Sequence, residues 1–175
     1  MKITVDWQII PTHTFNIADF SIPYDLSLSM KNLKISKYLY QVTFKGIVLK
    51  YGMSADNSRS FGERIYRQIG HSKSWGNSRL TGSSGSDWRI IEEDFFNLYG
   101  IEIDRNFMVV KIWDVSNYPF TTINPWFEIN AIEQQLIERY VLAVGEKPLG
   151  NINDESNAII RPAISKNTWQ QLFEE

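Results

Sequence analysis

Tyr38-Leu39-Tyr40-Gln41-Val42-Thr43-Phe44, then Lys45-Gly46, then Ile47-Val48-Leu49-Lys50-Tyr51-Gly52-Met53, is the stretch on which the architecture turns. The first run alternates bulky with polar side chains and reads as a strand, and the second is rich in β-formers. Lys45-Gly46 is short enough to join them as a tight turn, so the spacing predicts an antiparallel hairpin. Gly52 closes the second strand, and Ser54-Ala55-Asp56-Asn57-Ser58 has loop and helix-cap chemistry.

Downstream, Phe61, Ile65 and Ile69 recur at helical spacing and predict a helix from about Ser60 to Ile69. Arg64 and Arg67 lie off that apolar stripe, so they can face outward. A Gly/Ser-rich loop over Ser72–Asp87 precedes a second helix, Asp87-Trp88-Arg89-Ile90-Ile91 onward, which Gly100 stops. Phe107–Val115 is the strongest strand in the chain. Asn124-Pro125 opens a third helix that ends at Gly145, with Pro148 beyond. The order after residue 37 is β-β-α-α-β-α, a small α/β (α+β) layer fold in which a hairpin-based antiparallel sheet is flanked by helices. One domain is expected over 1–175, with a core at 38–152. Residues 1–37 would add strands or form an arm, and 153–175 would pack back through the apolar pieces around Ile159 and Trp169.

At 175 residues and 43% hydrophobic content the chain can bury a useful core. It has no cysteine, which excludes disulfides, thiolate zinc sites and cysteine nucleophiles. No apolar run reaches the length of a membrane span and no secretory signal is evident, so a cytoplasmic protein without membrane partners is expected. The net charge of −2 conceals an asymmetry: residues 31–90 carry eleven Lys or Arg against three acids, and residues 91–175 carry six against fourteen. A basic block of that kind suits a polyanion, although a segregated solvated surface would look the same.

The chemistry left to this sequence is narrow. His13 and His71 are its only two histidines and stand in unrelated contexts. There is no phosphate loop, no dinucleotide fingerprint and no nucleophile elbow, so no organic cofactor is expected. Tyr, Lys, Arg and Glu with a divalent metal remain, a set that suits phosphodiester hydrolysis. That reaction needs a deprotonated water aimed at phosphorus, donors for the non-bridging oxygens and a cation at the leaving oxygen.

The residues that carry such chemistry here resemble the GIY-YIG nucleases. Tyr38-Leu39-Tyr40 and, ten residues after Tyr40, Lys50-Tyr51-Gly52 look like that family's two motifs on adjacent strands. Arg64 takes the place of the family's arginine on the following helix. Ala131-Ile132-Glu133-Gln134-Gln135-Leu136-Ile137-Glu138 resembles its glutamate helix, and Lys147-Pro148-Leu149-Gly150-Asn151 the segment after it. The likeness covers roughly 37–152 in the right order. It departs at Tyr38 and Leu39, which stand where Gly-Ile is usual, and at Lys50, which stands where the second tyrosine is usual; the family's tyrosine lies two residues before the glycine, which selects Lys50 over Tyr51.

The resemblance implies a DNA endonuclease of the type II restriction kind, dependent on one Mg²⁺ or Mn²⁺ held by Glu133. Tyr40 and Lys50 would activate water and Arg64 would bind phosphate. Lys50 could act by lowering the pKa of Tyr40, or could itself take the proton. The candidate DNA contacts are Ser54, Arg67, Lys73, Arg79 and Asn151; Gln68 and His71 stand near this set, and Trp75 and Asn77 share the loop with Lys73 and Arg79. Double-stranded DNA is the expected partner, and a homodimer would serve a palindromic site. A structure-specific nicking nuclease and a non-catalytic nucleic-acid-binding module are the alternatives.

Overall fold

The computed structural model describes residues 2–16, 33–55, 61–65 and 88–151. The fold is mixed α+β. Strands β1 (Thr12–Asn16), β2 (Tyr38–Phe44), β3 (Ile47–Ser54) and β4 (Met108–Asp114) and helices α1 (Phe61–Ile65), α2 (Trp88–Tyr99) and α3 (Trp126–Val144) follow in the order β1-β2-β3-α1-α2-β4-α3. Short 3₁₀ turns lie at Trp7–Ile9, Arg105–Phe107 and Leu149–Asn151. The four strands form one antiparallel sheet in the order β1-β4-β2-β3.

The hairpin closes as its sequence predicts. Lys45 at φ 48° and Gly46 at φ 81° are both left-handed, the conformation that matches a two-residue turn to the twist of its strands. A lysine is strained there. Its ammonium lies 5.5 Å from the Phe44 ring centre and 5.6 Å from that of Phe107, contacts that help to hold it.

The two faces of the sheet build separate cores. Tyr38, Tyr40, Val42 and Phe44 of β2, with Met108, Val110 and Ile112 of β4, pack against Phe61 and Ile65 of α1 and Ile91 and Phe95 of α2. Leu39 and Trp113 face the other way, onto Ile129 and Ile132 of α3, while Val48 and Tyr51 meet Ile137. Each fully buried aliphatic or aromatic side chain contributes about 1.5–3 kcal/mol. α3 opens after Pro125 and stops at Gly145, whose φ of 95° ends the helix with its N–H donating to Val141 O.

The N-terminal residues settle one open expectation. Thr12–Asn16 adds an edge strand on β4, and the chain before it crosses α3, where Gln135 exchanges two hydrogen bonds with the Ile3 backbone at 2.6 and 2.8 Å. The tail at 153–175 lies outside the described residues. No helix among the described residues is long and apolar enough to cross a membrane.

Candidate active site

The site is built on the pairing of β2 with β3. Val42 pairs with Lys50 but Thr43 with Val48, so Leu49 is an extra residue, a β-bulge. An unbulged hairpin through the Lys45-Gly46 turn would set Tyr40 opposite Tyr51. The bulge shifts the register by one, sets Tyr40 opposite Gly52, and turns Lys50 onto the Tyr40 face while Tyr51 goes to the α3 face. The selection of Lys50 over Tyr51 therefore has a physical cause in the backbone.

Gly52 is required by packing. A Cβ at this position would overlap the Tyr40 ring at Cζ and the hydroxyl oxygen and come within 2.5 Å of Cε1. The phenol thus lies flat over the bare glycine backbone. Gly52→Ala is expected to push the ring from its seat and to cost about 1–3 kcal/mol by overpacking, read by thermal unfolding. Wild-type stability in that variant would mean that the ring is seated elsewhere.

Lys50 is 5% exposed. Its stem is held by the turn after α3, because Gly150 lies so close that a Cβ there would meet Lys50 Cβ at 2.8 Å and Leu49 O at 2.9 Å. Only glycine gives the backbone that approach. Burial lowers the Lys50 ammonium to about 8, with the Glu133 charge acting in the opposite sense. α3 packs on β3 and brings Glu133 into reach. The Glu133 carboxyl is pushed up to about 7 by burial, partly offset by Lys50. Glu133, rather than the exposed Glu138, is the carboxylate that meets the hairpin.

One expectation is corrected here. Lys50 does not lower the Tyr40 pKa. The phenol is pushed well above its ordinary value of 10, first by burial and then by Tyr38 and Glu133. Of the two ways in which Lys50 could act, proton acceptance by its own amine is the one this environment favours.

Arg64 is the second correction. The helical stripe puts it on the outer side of α1, yet it is 5% exposed. Its Nη1 donates to Ser36 O at 2.8 Å and to Ser54 Oγ at 3.0 Å, and its Nη2 donates to Ile35 O at 2.5 Å. The guanidinium carbon sits 5.0 Å from the centre of the Tyr38 ring. A helix of five residues packed near the chain before β2 has no free outer side at this position. The Nε–H is buried and has no hydrogen-bond partner among the described residues.

Ser54, Gly52 and Lys50 pair in turn with Tyr38, Tyr40 and Val42. Ser54, which binds Arg64, and Lys50 therefore flank the Tyr40–Gly52 pair along one face, each about 7 Å along the strand from Gly52 at two residues per step. Asn151 is occupied otherwise. Its Oδ1 accepts from Tyr51 N and its Nδ2 donates to Tyr51 O, both at 2.8 Å, which pairs the outer edge of β3. It positions β3 with its amide. Ser54 is buried and serves as the acceptor for Arg64. Arg67, Gln68, His71, Lys73, Trp75, Asn77 and Arg79 lie outside the described residues. Gly150 was missed as a site residue, and its only sequence signal is its place between Pro148 and Asn151.

The arrangement combines an amine that is partly neutral near pH 7.5, a phenol held protonated, a desolvated carboxyl and a guanidinium with a spare donor. These can take a proton from water, donate to an oxyanion and bind a cation. No family model, no curated protein and no solved structure matches the chain.

Proposed function

We propose that this chain is a divalent-metal-dependent DNA endonuclease of the restriction type, acting in the cytoplasm. The observation that carries the reading is the convergence of Tyr40, Lys50 and Glu133. These are three ionisable groups from two strands and a distant helix, with Glu133 in electrostatic reach of both Tyr40 and Lys50 and all three largely out of water. Burying them opposes folding, and perturbed groups gathered in this way mark functional sites. The order of motifs that resembles the GIY-YIG nucleases supports the same chemistry.

Glu133 fits a hard cation. Its carboxyl is desolvated and only partly compensated by Lys50, so an additional positive charge would favour its ionised form. Among the described residues no group of three or more carboxylate, histidine or cysteine side chains could hold a metal. Glu133 would be a protein ligand, with phosphate and water oxygens beside it. The metal would supply Lewis-acid stabilisation of the phosphate and the leaving oxygen. Lys50 Nζ, when neutral, takes a proton from the attacking water. Tyr40 Oη donates a hydrogen bond that orients the water or the phosphate. Arg64 offers its Nε–H to a non-bridging oxygen.

The test is cleavage of unmethylated plasmid DNA in Mg²⁺, Mn²⁺ or EDTA, with Glu133→Ala beside the wild type. Metal-dependent cutting that disappears in the variant is the expected result, and discrete bands are expected for a restriction enzyme working as a dimer on a palindromic site. Nicks at junctions would replace restriction with structure-specific nicking. DNA binding without any cleavage would leave a non-catalytic binding module. Cutting that survives Glu133→Ala would take that carboxylate out of the site.

A further inference from the structure

Behind Arg64, two successive peptide groups are each bridged between the same pair of side chains. In the Ile35–Ser36 peptide, the carbonyl accepts from Arg64 Nη2 at 2.5 Å and the N–H donates to Ser116 Oγ at 2.9 Å. In the Ser36–Lys37 peptide, the carbonyl accepts from Arg64 Nη1 at 2.8 Å and the N–H donates to Ser116 Oγ at 3.2 Å. Ser116 is fixed in turn by Asp114, whose Oδ1 accepts from Ser116 Oγ at 2.5 Å and from Ser116 N at 3.0 Å. Val115 N donates to Lys37 O at 3.0 Å and ties the same segment to the end of β4.

Every dipole in this chain points the same way. The negative carboxyl of Asp114 faces the Ser116 hydroxyl, the peptide N–H groups face the hydroxyl oxygen, and the carbonyl ends face the guanidinium. Aligned hydrogen bonds polarise and strengthen one another. The guanidinium gives three of its five donors to this cradle and to Ser54, and its Nε–H stays buried and unpartnered among the described residues. A hydrogen-bonded frame that leaves one nitrogen of a buried cation without an acceptor is suited to an anion that arrives later.

We propose that Asp114 and Ser116 are positioning residues which, through the backbone of residues 35–37, hold Arg64 so that its Nε–H meets a substrate phosphate oxygen. This rests on the nuclease reading for its substrate, but not for the geometry it asserts. Neither residue touches DNA. Their effect passes through Arg64 alone.

Two readouts test it. The first is the ¹⁵N spectrum of the Arg64 side chain, assigned by its loss in Arg64→Lys. The wild-type guanidinium is expected to rotate slowly on its acceptors, and Ser116→Ala to average its Nη signals. The second is plasmid cleavage, in which Ser116→Ala is expected to lower kcat about tenfold with KM within about twofold, the size of one well-placed hydrogen bond to a charged group. Ser116→Thr keeps the hydroxyl and should restore both readouts. If Ser116→Ala fails to fold, Asp114→Asn loosens the same frame and is expected to change both in the same direction. An unchanged Arg64 spectrum in a folded variant overturns the proposal, as does wild-type kcat in an active one. If the wild type cuts no DNA, the nuclease reading falls and the spectrum alone decides the positioning.

Discussion

The double replacement Lys50→Met with Glu133→Gln is expected to remove cleavage while making the fold more stable near pH 7.5. Both wild-type side chains are desolvated beyond what their mutual attraction returns, since Glu133 is pushed up to about 7 and Lys50 down to about 8. The linked effects on stability have opposite slopes. Between the ordinary carboxyl value of 4.5 and about 7, the folded state keeps a proton on Glu133 that the unfolded chain releases, so stability falls as pH rises. Between about 8 and 10.5 the unfolded chain keeps a proton on Lys50 that the folded state releases, so stability rises with pH. These two groups therefore make the protein least stable between about 7 and 8, where both carry charge. Neutral side chains of similar volume remove that penalty, and replacing a buried ion pair in this way stabilises by about 1–4 kcal/mol. Losing the metal ligand alone forfeits several kcal/mol of transition-state stabilisation, about 10³-fold in rate. Urea titrations at pH 5.5, 7.5 and 9.5 would measure the first effect. A double variant less stable than wild type at pH 7.5 would mean that the pair holds the fold together, and the functional argument from its strain would go with it.

Why the sequence reveals some of this and hides the rest follows from the range of the interactions involved. The hairpin, α2, β4 and α3 are legible because period and punctuation are local: alternation in Tyr38–Phe44, Gly100 after α2, Pro125 and Gly145 around α3. The bulge at Leu49 is not legible, because Ile47–Met53 has no alternation to fix its register and the choice is made by what each face packs against. The spacing of Lys50 from Gly52 places both on one face, which the bulged pairing with Val42 and Tyr40 shows. Arg64 went the other way. Helical phase predicts an outward arginine, but the carbonyls that capture it belong to residues 35 and 36, some thirty positions earlier in the chain. The pKa of Tyr40 was likewise assigned from a neighbouring charge, whereas complete burial between β3 and the α1–α2 layer outweighs any neighbour. Gly150 and Ser116 act through close approach and through backbone groups, which leave no composition signal at all.

Lys50→Met is expected to lower cleavage by about 10²–10⁴-fold, the usual contribution of a general base, and Tyr40→Phe to lower it only about tenfold. The asymmetry follows from the two environments. A phenol held well above 10 stays protonated throughout the physiological range and can only donate. An amine at about 8 is neutral in about a quarter of molecules at pH 7.5, enough for it to accept a proton while remaining basic. In the wild type the rate should climb with pH, tenfold per unit, and level off at or below about 8. A cation on Glu133 removes the negative charge that supports the ammonium, so the metal-bound enzyme should level off at a lower pH than that, not a higher one. Tyr40→Phe should keep the shape of this profile, because the titrating amine remains; any shift should be small, since Tyr40 is not among the causes acting on Lys50. Lys50→Met should flatten the profile along with the rate. Single-turnover cleavage from pH 6 to 9.5 in the three proteins separates the roles. A flat profile in Tyr40→Phe with a normal one in Lys50→Met would make the tyrosine the base. In that case the hydroxyl lying over Gly52 would have to lose its proton in an interior that opposes the phenolate, and the turn at Gly150 would hold Lys50 for its charge and not for its lone pair.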